Sequence, residues 1–581
     1  MVPCRGGIVK AQAQHNSEQR QDTGARTIMA KFITQDTFDE VVKENMEDFG
    51  MDRKSAAEDA VGQFKAQGAD LSRVDTSADD IRKDARGVIK DHVEKLRGFG
   101  LNVVLRGEGG SMSECLGSLS AVAELCREDG AAGEANRMVV GETGGVGVVA
   151  RFLDTDEERD SSSPSSPSSA SSLVLAALSA LHDVCRNTER NRDAFIHTNM
   201  DQVTSLLLRW TNALVDDGGG ENSVANDGAD ADVAAREENA ALVAAGLKTV
   251  RIVCTKADNN KASFLRRKGT QVLVASLGRY GTGDGKDATV TKEACYALRA
   301  VTMGDDRRKD FSCAYDNVKA LVSGGAIPLL LEAARAFEED AATLSAVYLA
   351  LKQLAANDES VKLIVEKGGL DLVIGAVVNF PLEVVVCRTA LALFRNISAN
   401  DVLKTRLVQE GGLRLVLGCM SQHKSDKTLQ EHGCATMAAM ALRSPSNGAQ
   451  IVQDGGIRAL LEAMRTHPTV QPLQRQACLC IRNIAARAPA LRSGLLDEGC
   501  ETAVRDAGRL RGCVDEAYGA LRDLQCEVGL VTIGEDGKVQ VGVKAFGEEK
   551  PNFNPTPQET KDLGERIEGN ATAPAHAGYG L

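Results

Sequence analysis

Apolar and polar positions recur along the middle of this chain with a fixed period. SGGAIPLLLEA at Gly324, KGGLDLVIGA at Gly368, EGGLRLVLGC at Gly411 and DGGIRALLEA at Gly455 each set a glycine pair before an apolar run. EGCETAVRDA at Gly499 keeps the first glycine, and the intervals are 43 or 44 residues. A period in that range predicts an array of small helical units that bury a continuous core only by stacking.

The unit around Gly411 shows the pattern. DVLKTRLVQE, from Asp401 to Glu410, reads as a short helix opened by a capping Asp. Gly411 and Gly412 stop it, because the residue past a helix end favours positive φ, which glycine adopts at least cost. LRLVLGCM reads as a second helix, SQHKSD as a polar loop, and Lys427 to Leu442 as a longer apolar-periodic helix. Pro381 and Pro468 mark the start of the equivalent long helix in two other units. Upstream, Gly269 takes the second glycine position, Asn199–Met200 replaces the pair, and Gly144 restores it at wider spacing.

The boundaries follow from composition. The array spans 110–527, with about eight repeats. It is interrupted near 154–172 by a Ser-rich stretch and near 216–238 by a stretch with eight acidic residues and one Arg. Neither stretch can bury apolar surface, so both are expected to be disordered. Residues 31–97 read as a small helical N-terminal segment. VTIGEDGKVQVGVKAF alternates at period two around Glu535, Asp536 and Gly537, which predicts a β-hairpin within 528–581, followed by a disordered tail. Residues 1–30 read as disordered or as a mis-annotated start, with Met29 as initiator or the leading residues as a transit peptide.

Composition narrows the function classes. The net charge of −13 argues against nucleic-acid binding over the whole surface. Aromatics make up only 4% of residues, which suits helices packed by Leu, Ala and Val. The fifteen cysteines sit mostly singly in apolar helical stretches, as reduced thiols would in a cytoplasmic or nuclear protein. No apolar run is long enough to span a bilayer.

Short, short and long helices with a glycine stop form the armadillo pattern, and KFITQDTFDEVVKENMEDFGM followed by AVGQFKAQGADLS resembles the start of the armadillo repeat-containing protein 6 family. The resemblance covers roughly Lys31 to Cys526. It implies an all-α, right-handed superhelical solenoid of armadillo repeats and a non-enzymatic interaction protein. In the armadillo superfamily the third helix lines a concave groove, where an Asn bonds an extended peptide and a Trp one turn earlier packs it. Asn396 and Asn483 fall at the Asn position, but Ala392 and Leu479 stand where the Trp would be. Asp183, Gln353, Met440 and Asp523 hold that position in other units.

The residue before that position is basic in several units: Arg299, Lys352, Arg395, Arg482 and Arg522. Seven residues back on the same face lie Lys292, Arg388 and Arg475. Stacking would draw these into a positive band suited to carboxylate or phosphate groups. Alternatively, the arginines tie neighbouring repeats together through acidic side chains.

Other chemistry finds little support. Cys419, His423, His432 and Cys434 have no recognised zinc-ligand spacing, and no phosphate loop, nucleophile elbow or metalloprotease helix motif occurs. Ser163 and Ser166 precede prolines and are generic phosphorylation candidates. The expectation is a monomeric, non-catalytic scaffold for a protein partner, with no cofactor, metal, nucleic acid or membrane. The alternatives are a chaperone-associated adaptor for a folded client and an import-type adaptor for a basic targeting peptide.

Overall fold

The computed structural model describes residues 31–544 except 50, 52, 68, 72–73, 75–79, 102–103, 105–110, 155–166, 196–197, 213–227, 310 and 534–538. The expectations for residues 1–30, the tail beyond 544, the hairpin turn, and Ser163 and Ser166 lie outside the described residues.

The core of the array is a row of long helices, each packed on the one before. These inner helices are α1 (Ser111–Arg127), α2 (Pro167–Cys185), α3 (Gly228–Cys254), α4 (Ala288–Thr302), α5 (Ala341–Leu354), α6 (Val384–Ile397), α7 (Lys427–Ala441), α8 (Gln471–Arg487) and α9 (Val514–Asp523). Their buried stripes, such as Val386, Ala390, Leu393, Phe394 and Ile397 of α6, join one continuous apolar core from Ile89 to Val528. Shorter helices in pairs, such as Asp401–Gln409 and Gly412–Gln422, cover that core from the other side. The fold is an armadillo-type solenoid.

The glycine pairs do two separate jobs. Gly144, Gly368, Gly411, Gly455 and Gly499 take positive φ, between 69° and 90°, where the second helix of the unit begins. At Gly324–Gly325 the frame slips by one, and Gly325 carries the positive φ of 87°. The following glycine meets the first helix at close range. A Cβ on Gly412 would lie 2.3 Å from Leu407 Cδ1, and one on Gly369 or Gly456 2.6 Å from Ile364 or Ile451. In the upstream unit Lys268 takes the left-handed conformation at φ 68°, with Gly269 against Phe264. Asn199–Met200 does not act as a stop, since both residues lie inside the helix Thr198–Asn212.

Several local expectations need correction. The cap of Asp401–Gln409 is Asn400, whose side chain accepts from the amides of Val402 and Leu403 at 3.0 Å; Asp401 is the first helical residue. Pro381 and Pro468 sit in the turns ahead of α6 and α8, and Pro472 occupies the first turn of α8. The segments near 154–172 and 216–238 are partly helical, because α2 begins at Pro167 and α3 at Gly228. Proline suits a first helical turn, and the Ala- and Glu-rich end of the acidic stretch favours helix.

The N-terminal segment divides. Gln35–Phe49 and Arg53–Ala66 pair around their own small core, with the Phe38 and Phe64 rings 6.1 Å apart. The third helix, Asp80–Gly98, places Ile89, Val93 and Leu96 in the main core, so the array's packing starts well before residue 110. At the other end Val528–Ile533 and Val539–Lys544 pair antiparallel, with Val528 opposite Lys544 and Ile533 opposite Val539.

Candidate peptide groove

A ladder of buried polar side chains, missed in the sequence, holds successive units together. It sits on the first helix of several units. Asn136 donates to Leu125 O at 2.8 Å, Asn191 to Val184 O at 2.8 Å, Asn260 to Val253 O at 2.7 Å, and Asn317 to Val301 O at 2.6 Å. Those carbonyls lie near the ends of the preceding inner helices, which leave their last carbonyls without helical partners. A buried cation follows Asn136 and Asn260, and Lys404 takes a similar place in a unit without the Asn. Arg137 Nη1 donates to Cys126 O at 2.6 Å, Lys261 Nζ to Met303 O at 2.6 Å, and Lys404 Nζ to Leu442 O. The signal available in the sequence was the recurring dipeptide Asn-Arg or Asn-Lys at 136, 191 and 260.

The Asn position of the inner helices does similar work. Asn396 Nδ2 donates to the carbonyls of Lys352 and Ala355, and Asn483 Nδ2 donates to Ala438 O at 2.9 Å. Gln353 Nε2 bonds Thr302 O at 3.0 Å in the same way. Asp183 and Asp523 instead accept from Arg127 and Arg482 of the preceding inner helices. Each of these side chains therefore reaches back across one repeat junction.

The basic band splits into two groups. Arg388 pairs with Asp426, Arg475 with Glu516 at 2.6 Å, and Arg482 and Arg522 both with Asp523, at 3.2 and 2.8 Å. Arg299, Lys352 and Arg395, like Lys292 seven residues before Arg299 on α4, form no ion pair or hydrogen bond through their side chains with another described residue. The first three occupy the last turns of α4, α5 and α6. The residues after them, Ala300, Gln353 and Asn396, are neutral, whereas Asp523 follows Arg522.

The electrostatics of this spot are those of crowded positive charge, with the Glu431 carboxylate in range of Lys352 and Arg395 but ion-paired to neither. Partial burial lowers the pKa of the Lys352 ammonium, and the charges of Arg299 and Arg395 lower it further. Burial lowers His432 to about 4, with Lys352, Arg395 and Arg388 adding to the effect. Its Nδ1 is buried without a hydrogen-bond partner among the described residues. Glu431 is pushed up by burial, against the pull of Arg395 and Lys352.

Beside it, α6 to α9 enclose a concavity of about 1090 Å³. Ala435, Ala438, Ala439, Ala486, Leu442 and Leu479 line it with apolar surface, and Arg395, Arg443, Arg482, Arg487 and Arg522 with positive charge. Asp523 is the one acidic lining residue, and it already pairs with two of the arginines. Arg487 is exposed and has no partner among the described residues.

Cys419, His423, His432 and Cys434 do not come together as one cluster of metal ligands. Cys387 Sγ donates to the carbonyls of Phe380 and Pro381 at 3.6 Å, His423 Nε2 lies 2.9 Å from Pro381 O, and the neighbouring Cys419 and His423 lower the pKa of the Cys387 thiol. Cys434 is fully buried and pushed up to about 12. No three His, Cys, Asp or Glu side chains among the described residues are placed to hold a metal ion. No helix among the described residues is long and apolar enough to cross a membrane.

A family profile described as ARMC6 matches residues 230–538, more than half of the chain. A second, described as the armadillo repeat-containing protein 6 N-terminal domain, matches residues 30–90. The chain is similar to armadillo repeat-containing protein 6 of Pongo abelii, at 28% identity over 334 residues, covering 57% of this chain and 56% of that protein. It is also similar to the Drosophila melanogaster homolog, at 25% identity over 331 residues, covering 57% and 60%. The chain thus spans little more than half the length of these curated relatives. Among solved structures it is similar to an engineered protein at 17% identity and a TM-score of 0.48, covering 75% of this chain and 98% of that one.

Proposed function

This chain belongs to the armadillo repeat-containing protein 6 family, and we propose that it is a non-catalytic scaffold whose α6–α9 concavity captures an extended acidic segment of a protein partner. An armadillo-repeat solenoid suggests a protein-binding role, because stacked units present a long concave surface. The observation that carries the acidic reading is a lining of five arginines against one aspartate. Arg443 pairs with Asp401 outside the lining, Arg482 and Arg522 share Asp523, and Arg395 and Arg487 have no ion-pair partner among the described residues. Side chains of that kind pair with carboxylates in two-pronged fashion, and the alanines leave room for a backbone to lie close. A basic targeting peptide would meet like charge along the same surface and bury it at a cost.

Fluorescence anisotropy tests this. A labelled peptide of alternating Asp, Glu and Ala is titrated with the full chain, beside a Lys/Arg peptide of equal length. The acidic peptide should bind, and its affinity should fall as salt rises. Equal or tighter binding of the basic peptide would overturn the reading.

A further inference from the structure

We propose that Arg299, Lys352 and Arg395 form a phosphate-binding subsite at one end of the groove, which receives a phosphorylated side chain of the partner's segment. This rests on the reading of the concavity as an acidic-segment groove, and it adds a second, chemically distinct position.

Position is the first argument. The three cations lie at matching places on consecutive inner helices, and inner helices pack about 8–10 Å apart. Arg395 also lines the concavity, so a segment lying along α7 to α9 reaches the cluster by continuing one helix further. An extended chain advances about 3.3 Å per residue, so about three residues cover each helix-to-helix step.

Charge is the second argument. A cation in the last turn of a helix complements the helix dipole, which explains one such residue per helix. It does not explain why Arg388, Arg475, Arg482 and Arg522 each have an acidic partner while these three have none. Lys352 is half buried among like charges, and Glu431, an acid whose charge acts on it, forms no ion pair with it. The buried Nδ1 of His432 beside them also has no partner among the described residues. A phosphorylated side chain carries close to two negative charges and three acceptor oxygens, which suits three donors better than one carboxylate does.

The test uses the full chain and a series of acidic Asp/Glu/Ala peptides in which one phosphoserine is stepped from end to end. Each is compared with its serine and glutamate counterparts, and inorganic phosphate is titrated separately. At one or two positions phosphorylation should tighten binding about 10- to 100-fold over serine, as one to two charge-assisted hydrogen bonds would. Glutamate should recover only part of that gain. In the double variant Arg299→Gln, Lys352→Gln the gain should shrink to a few-fold while the serine peptide loses far less, with the melting temperature measured alongside. Acidic peptides that bind with no gain from phosphate at any position would overturn the subsite and leave the groove standing. Failure of every acidic peptide would overturn the groove, and the subsite with it. A gain that survives in the double variant, or inorganic phosphate binding as tightly as the phosphopeptide, would also count against the subsite.

Discussion

Asn396 donates from Nδ2 to the backbone carbonyls of Lys352 at 3.2 Å and Ala355 at 3.1 Å, joining the end of α6 to the end of α5. The side chain that the armadillo pattern would assign to a bound peptide is therefore engaged with its own array. Asn396→Ala should cost about 1–3 kcal/mol, because two partly buried carbonyls lose their donor. Urea unfolding followed by circular dichroism would show it, and hydrogen exchange should place the loss at the α5–α6 junction.

The glycine pair predicts two different penalties at adjacent positions. Gly411→Ala puts a side chain at φ 86° and should cost about 1–2 kcal/mol. Gly412→Ala has ordinary backbone angles, but its Cβ would sit 2.3 Å from Leu407 Cδ1 and 2.7 Å from Leu407 O, so overpacking of about 1–3 kcal/mol is expected. Lys268→Gly should go the other way, gaining at most about 1 kcal/mol as left-handed strain is relieved against added chain entropy. Thermal melts of the three variants would rank them.

This division was half legible in the sequence. The period of the glycine pairs revealed the solenoid and the second helices, because a left-handed helix stop favours glycine, which alone adopts positive φ without a Cβ penalty. The slip of one at Gly325 and the use of Lys268 were not visible, since each depends on how a particular junction packs. The inner-helix basic residues could be counted from the sequence, but not which had partners. Asp426, Glu516 and Asp523 lie roughly 40 residues from Arg388, Arg475 and Arg482, on the next inner helix or at its cap, and only stacking brings them together. The buried Asn ladder escaped notice because Asn in a short helix resembles an ordinary polar surface residue until its carbonyl partners are seen.

His432 predicts a pH dependence. Its folded pKa is about 4, below the roughly 6.5 of an unfolded chain, so the unfolded state takes up a proton first as pH falls. Its contribution is complete above pH ~6.5 and is lost progressively down to pH ~4, amounting to about 2–3 kcal/mol once partial exposure is allowed for. Lys352, Arg395 and Arg388 oppose its protonation, and Asp426 favours it. Glu431, raised by burial, acts in the opposite direction and gains stability as it protonates. Below that range Asp306, Asp340 and Asp426, all held low by hydrogen bonds and nearby cations, add further acid sensitivity. Denaturant unfolding from pH 7 to 4.5 should show a steeper fall for the native chain than for His432→Gln. Identical slopes would mean that His432 is not held neutral.

The central claim is that the arginine-lined concavity of α6–α9 captures an acidic segment, and it is tested most directly at arginines with no structural partner. Arg482 is a poor target because it holds Asp523, but Arg395 and Arg487 have no such partner among the described residues. The measurement is the affinity of the labelled Asp/Glu/Ala peptide for the double variant Arg395→Glu, Arg487→Glu, with its melting temperature. The account predicts a loss of at least about tenfold, some 1.4 kcal/mol, with a melting temperature close to that of the unaltered chain. Unchanged affinity in a folded double variant would contradict it.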